Sequence, residues 1–165
     1  MAFAKNFVWG AASSAYQTEG SPRADGGGES IWDVFCRRPG AVADGFDGSA
    51  ATDAYRRYEE DIACAAQMGL GAYRFSVSWA RVDPYGDGRW NGEGFAFYLR
   101  MLQACRAAGL MSHCTTGNCP RRWKMRAAGA AERPPVLLPA MPPRRRAVSA
   151  ALQRITLRST SRSVL

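Results

Sequence analysis

Histidine is nearly missing from this chain: His113 is the only one in 165 residues. With so little imidazole, a histidine-rich metal centre is excluded. His113, Cys114 and Cys119 lie close together, but three ligands without a partner pair make a poor zinc site. A solvated residue is the plainer reading of His113. Long apolar runs are also missing. No stretch approaches the roughly 18 apolar residues of a membrane span, so no membrane partner is expected. Lys5 is followed by no apolar h-region of signal-peptide kind before Ser13, so no signal peptide is expected. The five cysteines, Cys36, Cys64, Cys105, Cys114 and Cys119, are odd in number and show no framework spacing. Reduced thiols and a cytoplasmic location follow as the expectation.

Acidic residues run out after Gly109. Residues 1–109 hold 11 Lys and Arg against 13 Asp and Glu, a net charge of −2; residues 110–165 hold 11 against 1, a net of +10. The second stretch also contains six of the nine prolines and a single aromatic residue, Trp123. So few large apolar groups cannot offset ordering entropy, and residues 110–165 read as a disordered basic tail. No third strand is expected there. A charge imbalance of this kind can mark an arm for nucleic acid or an anionic surface. That makes a non-enzymatic, basic-tailed binding module the alternative reading. Against specific nucleic-acid binding, no aromatic residues interleave with the arginines for base stacking.

What is present is concentrated before Gly109. Phe7 to Gly20 reads Phe-Val-Trp-Gly-Ala-Ala-Ser-Ser-Ala-Tyr-Gln-Thr-Glu-Gly. It opens as an apolar run, passes through small residues, and ends in the polar groups Tyr16, Gln17 and Glu19. A short apolar run suits a buried parallel strand, and small residues let a ligand approach the backbone. Residues 21–48 are rich in Gly, Asp and Ser and read as a loop. Thr52 or Asp53 can cap a helix whose stripe is Tyr55, Tyr58, Ile62, Ala65, Ala66 and Met68, ended by Gly69. Glu59, Glu60 and Asp61 sit on its solvated face. Residues 72–79, Ala-Tyr-Arg-Phe-Ser-Val-Ser-Trp, read as a second strand. A helix between two strands is a βαβ unit, so residues 7–17 and 72–79 should pair in parallel. Arg74 is a charge within a strand that should be buried, so it should face a carboxylate. Asn91 can cap a second helix with the stripe Phe95, Tyr98, Leu102 and Cys105, ended by Gly109.

Several of these segments, in this order, resemble glycoside hydrolase family 1, the β-glucosidase family. Phe7 to Gly20 resembles its N-terminal signature Phe-x-Trp-Gly-x-Ala-(Thr/Ser)-x-x-x-Gln-x-Glu-Gly. Ser30-Ile31-Trp32-Asp33-Val34-Phe35 resembles its Ser-Ile-Trp-Asp-x-Phe. Residues 73–79 resemble its Tyr-Arg-Phe-Ser-(Ile/Val)-Ser-Trp. The resemblance implies an α/β fold, the first two βα units of a (β/α)8 barrel over residues 1–109. A whole barrel needs about 250 residues. It implies a parent enzyme that hydrolyses β-glycosides with retention, using two carboxylates, with a β-glycoside sugar as partner and no cofactor or metal. In the family those carboxylates lie in Asn-Glu-Pro and Glu-Asn-Gly, and neither motif occurs in this sequence. No catalytic residue therefore carries over. Gln17 matches the residue whose amide binds glycone hydroxyls. Arg74 matches the partner of the nucleophile, and Trp9 and Trp32 match aromatic residues of the barrel wall.

The family continues into a third strand carrying Tyr-His-Trp, which is not found in frame. Reading each codon from the third base of the preceding one changes this. His113-Cys114 and Asn118-Cys119 then each force Leu, Trp123-Lys124 forces Glu, and Lys124-Met125 allows only Asn or Asp. With permitted codons between these, residues 114–129 become Leu-Tyr-His-Trp-Glu-Leu-Pro-Gln-Ala-Leu-Glu-Asp-Ala-Gly-Gly-Trp. That resembles the family's Leu-Tyr-His-Trp-Asp-Leu-Pro-Gln-x-Leu-x-Asp-x-Gly-Gly-Trp. The expectation is a frame-shifted tail over 110–165.

Overall fold

A computed structural model of the chain describes residues 2–117. In chain order it contains β1 (Gly10–Ala12), α1 (Ala15–Thr18), α2 (Ile31–Cys36), α3 (Ala54–Gln67), β2 (Ala72–Ser78), α4 (Trp79–Val82), α5 (Gly92–Ala107) and β3 (Met111–Gly117), with short 3-10 turns at Ala24–Gly26 and Ala43–Gly45. The three strands form one parallel sheet in the order β1-β2-β3.

The expected parallel pair is present, with Gly10 opposite Ala72 and Ala12 opposite Arg74. The first strand is shorter than the 7–17 expected. Ser13 donates its amide to the Arg74 carbonyl, Ala15 donates to the Ser76 Oγ at 2.7 Å, and the chain then turns into α1. The second strand stops at Ser78, and Trp79 opens α4.

The third strand corrects the sequence reading. Met111–Gly117 pairs with β2 along all seven residues. Strand pairing is a backbone interaction and needs only that one face be buried. Leu110 and Cys114 supply enough apolar surface to join the core. Ordered structure thus runs past Gly109 to residue 117, and the rest of the expected basic tail lies outside the described residues.

Each helix forms for legible reasons. Helix α2 opens on a capping box: the Asp33 amide donates to Ser30 Oγ, and the Ser30 amide donates to the Asp33 carboxylate. In α3, Ile62 and Ala65 are buried and Tyr55, Tyr58 and Ala66 half-buried. Met68 is exposed, one position past the helix where the stripe no longer applies. Asp53 precedes α3 in a left-handed conformation without a side-chain cap. Asn91 does cap α5, accepting from the Glu93 amide. Phe97, Tyr98, Met101, Leu102 and Cys105 are its buried positions, so the stripe is wider than expected.

The core lies on one face of the sheet. Along β2, Tyr73, Phe75 and Val77 are buried against α3 and α5, while Arg74, Ser76 and Ser78 alternate onto the other face. Tyr98 stacks on Phe75 with the rings 6.2 Å apart and nearly parallel.

Candidate functional site

Functional side chains gather where β1 ends. Helix α1 leaves the sheet there, and Gln17 points outward from it, exposed. A cleft of about 430 Å³ opens beside it, lined by Ser14, Tyr16, Gln17, Trp32, Phe46 and Asp47 among others. Gln17 and Trp32, expected on separate motifs, are thus brought to one cleft. Trp32 comes from α2, where its ring meets Phe35 edge-on at 5.9 Å and lies 6.2 Å from Tyr16. Tyr16 fixes the opposite wall: its hydroxyl donates to Cys36 Sγ at 3.3 Å and accepts from the Gly48 amide at 3.2 Å. Burial raises the Tyr16 phenol well above its ordinary range, so it stays a neutral donor.

Two expected site residues fall elsewhere. Trp9 lies at the start of β1, where its carbonyl accepts from the Gly71 and Ala72 amides. Its ring packs with Phe3 and Phe7 at 4.7 and 4.8 Å and stays 55% exposed. That is the end of the strand opposite the cleft. Arg74 is exposed rather than buried. Its place on β2 puts it on the sheet face that the helices leave open, and no carboxylate pairs with it among the described residues. An open face has no desolvation cost to offset, so no carboxylate partner is required.

The buried charge of this fold is a different one. Arg81 and Glu19 have side chains only 3% and 7% exposed, and Arg81 Nε donates to Glu19 Oε2 at 3.1 Å. The Tyr98 hydroxyl donates to the other oxygen, Oε1, at 2.6 Å. Arg81 also donates to the Gly20 and Ser21 carbonyls and stacks on the Tyr55 ring, 4.0 Å from its centre. Burial pushes the Glu19 carboxyl up, while Arg81 and the Tyr98 hydroxyl pull it down. The sequence carried one signal for this pair: Arg81 sits among Trp79, Ala80 and Val82 with no polar neighbour.

Gly20 closes the arrangement. It has φ +65°, and a Cβ there would stand 2.2 Å from the Ala50 carbonyl oxygen, so no side chain fits.

A second, more polar cleft of about 490 Å³ adjoins at Asp47, lined by Arg23, Arg37, Arg56, Glu29 and Asp33 among others. Arg23 and Arg37 both hold Glu29 Oε1, at 2.6 and 2.7 Å. The Arg37 hydrogen bond, seconded by Arg23, lowers the Glu29 carboxyl to about 2.

Residues 1–117 match the family model for glycosyl hydrolase family 1. The chain is 48% identical over 113 residues to beta-glucosidase A of Acetivibrio thermocellus, covering 68% of this chain and 25% of that protein. It is 55% identical over 111 residues to the aryl-phospho-beta-D-glucosidase BglC of Bacillus subtilis, covering 67% of this chain and 22% of that protein. The solved family 1 β-glucosidase of Thermotoga maritima superposes with a TM-score of 0.74 at 40% identity, over 78% of this chain and 30% of that one. The same enzyme has been solved with cyclophellitol and with castanospermine. This chain therefore spans about a quarter of the length of the curated relatives it matches. On the match over residues 1–117, the chain belongs to glycosyl hydrolase family 1.

Proposed function

We propose that residues 1–117 are the opening arc of a (β/α)8 barrel from a retaining β-glycosidase, and that they supply one side of its glycone site. The observation that carries this reading is the meeting of Gln17 and Trp32 in one cleft at the C-terminal end of β1. Sites in such barrels sit at that end of the strands. In this reading the Gln17 carboxamide hydrogen-bonds sugar hydroxyls, and Trp32 forms an apolar wall for the pyranose ring. Arg74, on the open face of the sheet, pairs with a nucleophilic carboxylate supplied by another part of a complete barrel. Trp9, at the far end of β1, supports the barrel wall and not the sugar.

The 165-residue chain is expected not to hydrolyse β-glycosides. Retaining hydrolysis requires two carboxylates about 5–5.5 Å apart. Neither Asn-Glu-Pro nor Glu-Asn-Gly occurs in the sequence. One hydrogen bond from Gln17 contributes about 0.5–1.5 kcal/mol net, too little to hold a sugar without the rest of a pocket. The assay is release of an aryl alcohol from an aryl β-glucoside by the purified chain. Turnover above the uncatalysed rate would overturn the reading.

A further inference from the structure

Helix α1 is a single turn, Ala15–Thr18, and a single turn cannot set its own orientation. Nucleating one costs more than its few hydrogen bonds return. Its rotation must be fixed from outside. Ala15 and Glu19 are both buried and lie four residues apart, on one face of the turn. Gln17 lies two residues from each, about 200° around the axis, on the opposite face. Burying Glu19 therefore turns Gln17 outward, and Gln17 is the exposed residue that lines the cleft.

The anchor for Glu19 comes from three other helices. Arg81 of α4 and Tyr98 of α5 hold one carboxylate oxygen each. The Glu19 carbonyl accepts from the Tyr55 amide of α3 at 2.9 Å. Tyr98 is itself fixed to β2, because its hydroxyl accepts from the Ser78 amide at 2.7 Å. Arg81 extends the hold along the chain through the Gly20 and Ser21 carbonyls. No side chain of the cleft takes part in this set of bonds, so the anchor lies behind the turn and the cleft in front of it.

We propose that Glu19 is the positioning residue for Gln17: its carboxylate, held between Arg81 and Tyr98, fixes the rotation of α1 and so aims the Gln17 carboxamide into the cleft. The sugar-binding meaning of that aim rests on the proposed function; the aim itself does not.

The test is NMR on the full 165-residue chain and on Glu19→Gln and Tyr98→Phe. In the unaltered chain the Gln17 carboxamide should give NOEs to protons of the cleft residues Trp32 or Gly48. In Glu19→Gln these should be lost, while NOEs between the paired residues Ala12 and Arg74 persist. Retention of both would mean that something else aims Gln17 and overturns the proposal. Loss of both sets together marks a variant that does not fold, and Tyr98→Phe then decides, because it deletes one bond to Glu19 and leaves the ion pair. The same Gln17 NOEs should weaken, by less, and unchanged intensities would overturn the proposal. A separate titration with methyl β-D-glucoside reports on sugar binding. Absence of any Gln17 shift there counts against the functional reading alone, since the NOEs are measured without sugar.

Discussion

Replacing Arg81 with Ala should destabilise the fold from behind the cleft, and the structure sets the size. The substitution leaves the Glu19 carboxylate 7% exposed with only the Tyr98 hydroxyl for company. Breaking a buried pair from one side costs about 3–5 kcal/mol, because the remaining charge is uncompensated. The lost bonds to Gly20 and Ser21 and the lost stacking on Tyr55 push towards the upper end. Removing both charges is a different matter. Arg81 Nη1 is buried with no acceptor among the described residues, so the pair is not fully satisfied as it stands. Glu19→Leu with Arg81→Met should then lie within about 1 kcal/mol of the unaltered chain. Urea unfolding followed by tryptophan fluorescence, to which the buried Trp79 contributes, measures each variant. The cycle of Glu19→Leu, Arg81→Met and the two together should give a coupling energy of at least about 2 kcal/mol. The pH dependence has a definite sign. Burial already raises Glu19, so the folded state binds a proton more readily than the unfolded one. Such a group makes stability fall as pH rises through the window between its unfolded and folded values. Without Arg81 the folded value rises further, so Arg81→Ala should recover more stability on acidification from neutrality than the unaltered chain does. Additive single substitutions, or a loss under about 1 kcal/mol for Arg81→Ala, would refute the argument.

Three further outcomes are expected. Glu29 is held at about 2 by Arg37 and Arg23, a lowered value, so its contribution is present above the unfolded carboxylate range and lost as pH falls from about 4.5 to 2. Those arginines are 48% and 72% exposed, so the contribution is about 1 kcal/mol; Glu29→Gln should flatten the acid limb of a stability–pH curve, and an unaltered limb would contradict the assignment. Residues 110–165 carry a net of +10, and binding to DNA should be weak, indifferent to sequence and steeply salt-dependent; a sequence-preferring site that survives at about 200 mM salt would favour a nucleic-acid module instead. The gene should read Leu-Tyr-His-Trp in the shifted frame from the codon of Cys114 onward, and any other reading removes the frame-shift explanation of the tail.

The sequence disclosed what depends on local pattern. The capping residue Asn91 and the helix-ending glycines Gly69 and Gly109 in left-handed conformation follow from short-range signals, and the parallel pairing of Gly10–Ala12 with Ala72–Arg74 follows from the strand-helix-strand order. Gln17 and Trp32 were legible as motif residues, though only the fold of the loop between them shows that they share a cleft. Two expectations differ from the structure, that no strand forms past Gly109 and that Arg74 is buried, and each judged a strand by its side chains alone. Met111–Gly117 lacks an apolar alternation, yet its backbone completes a ladder that β2 already offers, and Cys114 needs only to fill the space over α5. Arg74 has a charge where a barrel strand is buried, yet burial of that face depends on the rest of a barrel, not on the strand.

Arg74 and Arg81 together show how β2 and its extension divide their work. Arg74 directly follows Tyr73 and Arg81, seven positions on, comes two residues after Trp79, so residue type does not distinguish them. The strand does. Arg74 falls on the sheet face opposite Tyr73 and Phe75, away from α3 and α5, and stays in water. Arg81 falls beyond Ser78, where the chain has turned into α4 and α5 closes over it: a Cβ on Gly94 would stand 2.4 Å from the Arg81 carbonyl oxygen. The guanidinium itself lies over the Tyr55 and Phe97 rings with its side chain 3% exposed, which is why this arginine must find a carboxylate while the other need not. The carboxylate it finds belongs to Glu19, two residues from Gln17. The packing of α5 on α4 is thereby connected, through one ion pair, to the direction of the side chain that faces the cleft.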